Sequence, residues 1–166
     1  MKNEEIHSEN VSILSRRIGE KMNLSKKELD ILELAAQLHD IGKVGIDTIL
    51  LEKTSSLNQN ELRQIRRHPQ LGYTILVNLT NYINISEIVL CHHERPDGKG
   101  YPNGLKDSDI PLESKIISVA EAYDAMTNEL SYKERILTKE EAIKELIQNA
   151  GTQFDRSVVD ALIECL

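Results

Sequence analysis

SKKELDILELAAQLHDIGK, residues 25–43, is the stretch whose reading decides the fold. Ser25 followed three residues later by Glu28 is the capping-box signature, in which each side chain satisfies the other residue's backbone N–H. Behind it, Leu29, Leu32, Leu34, Ala36 and Leu38 recur with a helical period. The spacing predicts an amphipathic helix that Gly42 and Gly45 end, with a loop around Lys43. His39 and Asp40 stand at the end of that helix.

The same signals repeat outward from this segment. Ile6, Ile13, Leu14 and Ile18 mark one face of a preceding helix. Asn58 with Glu61 is a second capping box, and Leu62 and Ile65 continue its face. Pro69 breaks or redirects the chain before a helix through Leu71, Ile75 and Leu76. Ser86 is read as opening another helix through Ile88, Val89 and Leu90 into Cys91-His92-His93. The longest irregular stretch runs from Arg95 to Pro111 and is punctuated by Pro96, Gly98, Gly100, Pro102 and Gly104. A strongly apolar helix then runs from Leu112 to Thr127. Thr138 with Glu141 caps the next helix, Gly151 closes it, and Asp155 opens the last, with Val158, Val159, Leu162 and Ile163. No alternating strand, internal repeat or low-complexity linker interrupts the pattern. The expectation is one all-α domain of about seven helices over residues 1–166, either standing alone or serving as the output domain of a larger protein.

Composition narrows the function. The 166 residues carry a net charge of −7, so no broad basic face exists for duplex nucleic acid. Aromatic residues make up 4% with no tryptophan, which argues against a base-stacking platform. No apolar run approaches membrane-spanning length. Cys91 and Cys165 cannot build a disulfide framework, which fits a reducing cytoplasm. A small anionic substrate held by a few local cations remains open.

Of five histidines, four stand in compact settings: His39-Asp40, His68-Pro69 and His92-His93. Neighbours on a helix diverge by roughly 100°, so an adjacent pair reaches around a cluster and does not grip one small site equally. That geometry suits two metals side by side, with Asp40 bridging them. Imidazole and carboxylate donors, with no thiolate required, favour manganese, iron, cobalt or nickel, with zinc also allowed. Such a pair of ions lowers the pKa of a bound water for in-line attack on phosphorus and offsets charge on the phosphate oxygens. Read alone, His7 is an ordinary polar residue, Cys91 a small buried apolar one, and Arg66-Arg67 a solvated face, with a phosphate site left open there by its closeness to His68.

His39-Asp40-Ile41-Gly42-Lys43 resembles the HDxGK signature of the HD-domain phosphohydrolases. His92-His93-Glu94, Asp97-Gly98, Gly100-Tyr101-Pro102 and Gly104-Leu105 together resemble HHExxDGxGYPxGL, which marks the HD-GYP subgroup. The segment 119–127, VAEAYDAMT, is similar to that subgroup's VAD-x-(Y/F)-DA-(M/L)-T helix, and Phe154-Asp155 fits its closing turn. The match runs from about His7 to the C-terminus.

The resemblance implies an all-helical, metal-dependent phosphodiesterase of the HD type. It would hydrolyse cyclic di-GMP to pGpG or GMP in a bacterial cytoplasm. It implies two transition-metal ions, iron or manganese first, held by His39, Asp40, His68, His92, His93 and Glu121, with His7 as a further candidate. Lys43 would contact the scissile phosphate, and Lys133 would also bind substrate. Asp97, Gly100, Tyr101 and Pro102 would shape the site and offer a surface to a signalling-protein partner. Asp124 would orient a ligand from behind.

Three positions depart from the pattern. Glu121 stands where the family usually has aspartate. Asn3 stands where some members carry a glutamate for a third metal, so two metals are expected. Leu130-Ser131-Tyr132-Lys133 stands where many members have an arginine at the first position, which would have gripped a substrate phosphate. A weakened or inactive domain that binds a nucleotide or a partner is therefore the alternative reading.

Overall fold

A computed structural model describes residues 2–79, 82–128 and 136–166, with side chains from Glu5 onward. Among the described residues there are nine α-helices and no sheet. In chain order they are α1 (Lys2–Lys21), α2 (Lys26–Leu38), α3 (Thr48–Leu51), α4 (Gln59–Ile65), α5 (His68–Val77), α6 (Ile83–Cys91), α7 (Leu112–Thr127), α8 (Lys139–Asn149) and α9 (Arg156–Cys165). The all-α expectation holds; the helix that the sequence did not announce is α3, a single turn. No helix among the described residues is long and apolar enough to cross a membrane.

Local chemistry sets most of the boundaries. Ser25, Asn58 and Thr138 form full capping boxes with Glu28, Glu61 and Glu141. Asp155 accepts the N–H groups of Ser157 and Val158 at the start of α9. Pro69 sits in the first turn of α5, where its missing N–H would have had no helical partner.

Three sequence expectations need correction. Residues 41–45 form a 3₁₀ turn and not a loop. Helix α6 starts at Ile83, and Ser86 lies inside it with its hydroxyl donating to Ile83 O at 2.7 Å. A serine that bonds back along a helix leaves no cap to read. On α1 the buried stripe is Val11, Leu14, Ser15 and Ile18, while Ile13 is 55% exposed because it lies about 100° off that stripe.

Helix α7 is the centre of the core. Ile116, Ile117, Val119 and Ala120 are fully buried, and no residue from Leu112 to Thr127 is exposed, so the helix is at least half covered all round. Each such large apolar side chain contributes about 1.5–3 kcal/mol when fully removed from water. Helices α1, α6, α8 and α9 pack against it, and α2 packs between α1 and α6. Ser114 anchors α7 to α6 by donating to Ile88 O at 2.9 Å.

One close crossing fixes the geometry of the site. The 3₁₀ turn after α2 lies on α5 so tightly that a Cβ on Gly42 would stand 1.9 Å from His68 O and 2.5 Å from Gly72 N. Only glycine fits there. The contact brings Asp40 beside His68.

Candidate metal centre

The histidines are aimed by acceptors on their outer sides. His39 Nδ1 lies 2.7 Å from Ala36 O, His68 Nδ1 2.9 Å from Ile65 O, and His92 Nδ1 2.6 Å from Val89 O. A carbonyl only accepts, so each Nδ1 carries a hydrogen and each ring turns its Nε2 inward, as a lone pair wherever the ring is neutral. In all three cases the acceptor is three residues earlier, at a helix end whose last carbonyls lack helical partners. His7 repeats the device with Asp124, its Nδ1 lying 2.5 Å from Oδ2. Asn10 donates to Asp124 Oδ1 at 3.0 Å and holds that carboxylate in place.

Two groups of donor atoms result. His68, His92 and His93 bring ligand atoms within 4.8 Å of one another, and so do His7, His39 and Glu121. Asp40 stands between them. Its Oδ1 is 3.3 Å from His68 Nε2 and its Oδ2 is 3.3 Å from His39 Nε2. Glu121 Oε2 is 3.8 Å from His93 Nδ1, which joins the two groups on the other side.

The chemistry of this donor set suits cations. His68 Nε2 and His92 Nε2 face each other at 3.2 Å with both outer nitrogens already engaged, so the pair holds at most one proton between two lone pairs. Among the described residues, His39 Nε2 and Asp40 Oδ1 are buried without a hydrogen-bond partner. Buried polar atoms are normally paired, and a metal ion is the partner these atoms fit.

Electrostatics divide the group. Burial lowers the pKa of His68 to about 4 against the pull of Asp40. Burial and the neighbouring histidines push His92 well below its ordinary value, and burial also lowers His93. These three rings keep their lone pairs at neutral pH. Burial opposes charge on His39 as well, but the adjacent Asp40 carboxylate outweighs it and raises that imidazole to about 9. Burial disfavours the Asp40 carboxylate too, yet His39, Lys43 and His68 hold it well below the usual range.

Lys43 reaches back from the 3₁₀ turn, its Nζ 2.6 Å from Asp40 Oδ2. Asp40 and Lys43 also line a cleft of 780 Å³, walled by Glu5 and Glu9 of α1 and by Val44, Thr48 and Leu51.

The irregular segment after α6 is held by a residue to which the sequence reading gave no role. Glu94 is 2% exposed, and its two carboxylate oxygens accept the N–H groups of Asn103 (2.7 Å) and Leu105 (2.9 Å). Its place in the motif was visible, but a glutamate's backbone partners nine and eleven residues away are not. The Asp97 carboxylate is engaged within the loop, by Arg95 at 3.0 and 2.7 Å and by the Lys99 N–H at 3.0 Å. Gly100 passes so close to Glu94 Cα that a Cβ would stand at 2.5 Å. The Tyr101–Pro102 peptide bond is cis, and the Tyr101 ring stacks on His93 with centroids 4.7 Å apart. Cys91 is buried, and desolvation pushes its thiol up to about 11, so it stays a neutral apolar neighbour.

The structure thus gathers His39, Asp40, His68, His92, His93 and Glu121, with Lys43 and Tyr101 at the edge, and adds His7 through Asp124. Lys133 and Leu130 lie outside the described residues.

An all-helical domain that wraps a histidine–carboxylate cluster defines the class, and comparison with known proteins gives the family. The family model for the HD domain matches residues 1–158. The chain is 40% identical over 157 residues to the cyclic di-GMP phosphodiesterase response regulator RpfG of Xanthomonas campestris, covering 93% of this chain and 41% of that protein. It is 39% identical over 160 residues to a cyclic di-GMP phosphodiesterase of Thermotoga maritima, covering 95% and 43%. The chain therefore spans less than half the length of these relatives. A solved structure of Bd1817, an HDG"Y"P protein from Bdellovibrio bacteriovorus, superposes with a TM-score of 0.77 at 24% identity, covering 97% of this chain and 51% of that one. That likeness concerns the fold. This chain belongs to the HD domain family, in its HD-GYP branch.

Proposed function

We propose that this chain is a metal-dependent phosphodiesterase that hydrolyses a cyclic dinucleotide, cyclic di-GMP first among them, to pGpG or GMP. The observation that carries the reading is the placement of Asp40, one oxygen toward each of two histidine groups. The names of the two relatives supply the substrate class. His68, His92 and His93 would hold one ion; His7, His39 and Glu121 would hold the other; Asp40 would bridge. The imidazole and carboxylate donors, with Cys91 kept neutral, fit iron or manganese ahead of a thiolate-seeking metal. Such ions supply Lewis acidity to a phosphate oxygen and lower the pKa of water.

The chain's own groups do the rest. The carbonyls behind His39, His68 and His92 fix which nitrogen faces the centre. Lys43 adds a cation at the edge of the cleft, where a phosphate approaching Asp40 would meet it. Asp97, Gly100, Tyr101 and Pro102 would form one wall of the substrate site, and the exposed edge of the same loop would receive a signalling partner. A cytoplasmic location fits the nucleotide substrate and the two free cysteines.

Purification without chelator, reconstitution with manganese or iron, elemental analysis and a cyclic di-GMP turnover assay test the reading. Two ions per chain with turnover is the expected result. One ion or none defeats the dinuclear assignment, and a fully loaded protein without turnover defeats the enzyme. The second reading, a nucleotide-binding module, rests on Leu130 in the sequence, where leucine offers a phosphate no charge. A module of that kind binds cyclic di-GMP and leaves it intact.

A further inference from the structure

With one face of Tyr101 stacked on His93, the other is left for the guanidinium of Arg66, whose Cζ lies 5.2 Å from the ring centroid. His93, Tyr101 and Arg66 thus form a column from one histidine group to the surface. Arg66 is the C-cap of α4, and His68 two residues later opens α5, so the short connection between the two helices delivers both. Other basic residues of the fold meet carboxylates: Arg16 with Glu33, Arg95 with Asp97, Lys53 with Glu61, Lys115 with Asp107 and Asp155. Among the described residues the Arg66 guanidinium has no hydrogen bond or ion pair, and its ring contact leaves all five N–H donors available. Arg67 beside it has no ring beneath it among the described residues.

A cyclic dinucleotide carries two phosphodiesters and two negative charges. On the reading above, the centre and Lys43 take one of them. The second arrives at a protein of net charge −7 and needs a cation besides Lys43. We propose that Arg66 grips the second, uncleaved phosphate of the cyclic dinucleotide, with Tyr101 as the platform that holds the guanidinium plane. The inference rests on the phosphodiesterase reading for its substrate. A planar fork of donors pre-set on an aromatic ring loses little freedom on meeting a phosphate. Arg66 is in this view a binding residue that serves ground state and transition state alike.

The test compares metal-loaded wild type, Arg66→Ala and Arg66→Lys, with cyclic di-GMP and cyclic di-AMP as probes. Equilibrium binding, turnover, metal content and thermal unfolding are read for each. Losing one charge-assisted contact should raise Kd and KM for both nucleotides by about tenfold, with kcat, metal content and Tm kept. Arg66→Lys should recover part of the loss. A phosphate contact is blind to the base, so a loss confined to cyclic di-GMP overturns the assignment in favour of a guanine-edge contact. Unchanged Kd for both nucleotides overturns it outright, and a fall in metal content or Tm shows a structural role instead. If wild type binds the nucleotides but cleaves neither, the phosphodiesterase reading fails and the Kd comparison alone decides Arg66. If it binds neither, both fall.

Discussion

A histidine offers a metal one nitrogen only when something on the far side of the ring takes the other. At His39, His68 and His92 that partner is a backbone carbonyl, and at His7 it is Asp124. His39 alone sits beside a carboxylate strong enough to keep it protonated to about pH 9. Below that value a metal must displace the His39 proton, so uptake at pH 7 should release about one proton per chain, and apparent affinity should rise about tenfold per pH unit toward 9. Titration calorimetry in two buffers of different ionisation enthalpy measures this; no release at pH 7 would mean that the His39 ring is already neutral before the metal arrives. Asp40→Ala should abolish both metal retention and hydrolysis while far-ultraviolet circular dichroism stays helical. Lys43→Ala should keep the metals and lose turnover, since the lysine touches Asp40 from outside the two donor groups. Most of this centre was legible in the sequence, because His39-Asp40 and His92-His93 are adjacent pairs and adjacency survives any fold. His7 and Asp124 entered only through the family resemblance: they are 117 residues apart, and no local spacing reports the contact between them.

Elements place these side chains through one crossing. Gly42 lies against the backbone of α5 at a distance no side chain tolerates, and that contact sets Asp40 opposite His68. Gly42→Ala should therefore cost more than the propensity change at an exposed helical glycine, which is about 1 kcal/mol and in the other direction. The expected outcome is a lower Tm together with loss of metal, read by thermal unfolding and elemental analysis. A variant with wild-type metal content would show that the crossing can relax without moving the donors. Helix starts were readable where a side chain caps the helix at Ser25, Asn58, Thr138 and Asp155. At α6 they were not, because Tyr82 makes no side-chain cap and the buried Ser86 imitates one. Glycines Gly42 and Gly45 read as a helix stop with a loop beyond, yet the first of them is a contact point inside a 3₁₀ turn.

Across the whole molecule, Lys115 ties three distant parts together. Its Nζ lies 2.7 Å from Asp107 after the GYP loop and 3.0 Å from Asp155 at the start of α9. Burial disfavours the Asp155 charge, but Ser157, Lys115 and the cap N–H groups lower its pKa below the ordinary value. A carboxylate lowered in the folded state adds stability above its unfolded pKa of about 4 and loses it as pH falls through the folded value. Burial also works against the Lys115 charge, while its two carboxylates raise it, so that contribution is present at neutral pH and lost only in strong alkali. Asp155→Asn should lower Tm by about 2–4 °C at pH 7, and the gap to wild type should narrow as pH falls below the unfolded carboxyl's value of about 4. A gap that stays the same size would mean that the residue acts through its cap alone.

The two donor groups also differ in when the growing chain can assemble them. His68, His92 and His93 all lie within residues 68–93, the first opening α5 and the other two directly following α6. The other group joins His7 and His39 to Glu121, and its first histidine is aimed by Asp124. A nascent chain that has not yet released α7 can therefore close one half of the centre and not the other. On the proposed assignment, the ion held by His68, His92 and His93 draws its histidines from the single stretch 68–93, whereas the other site is complete only when α7 lies against α1.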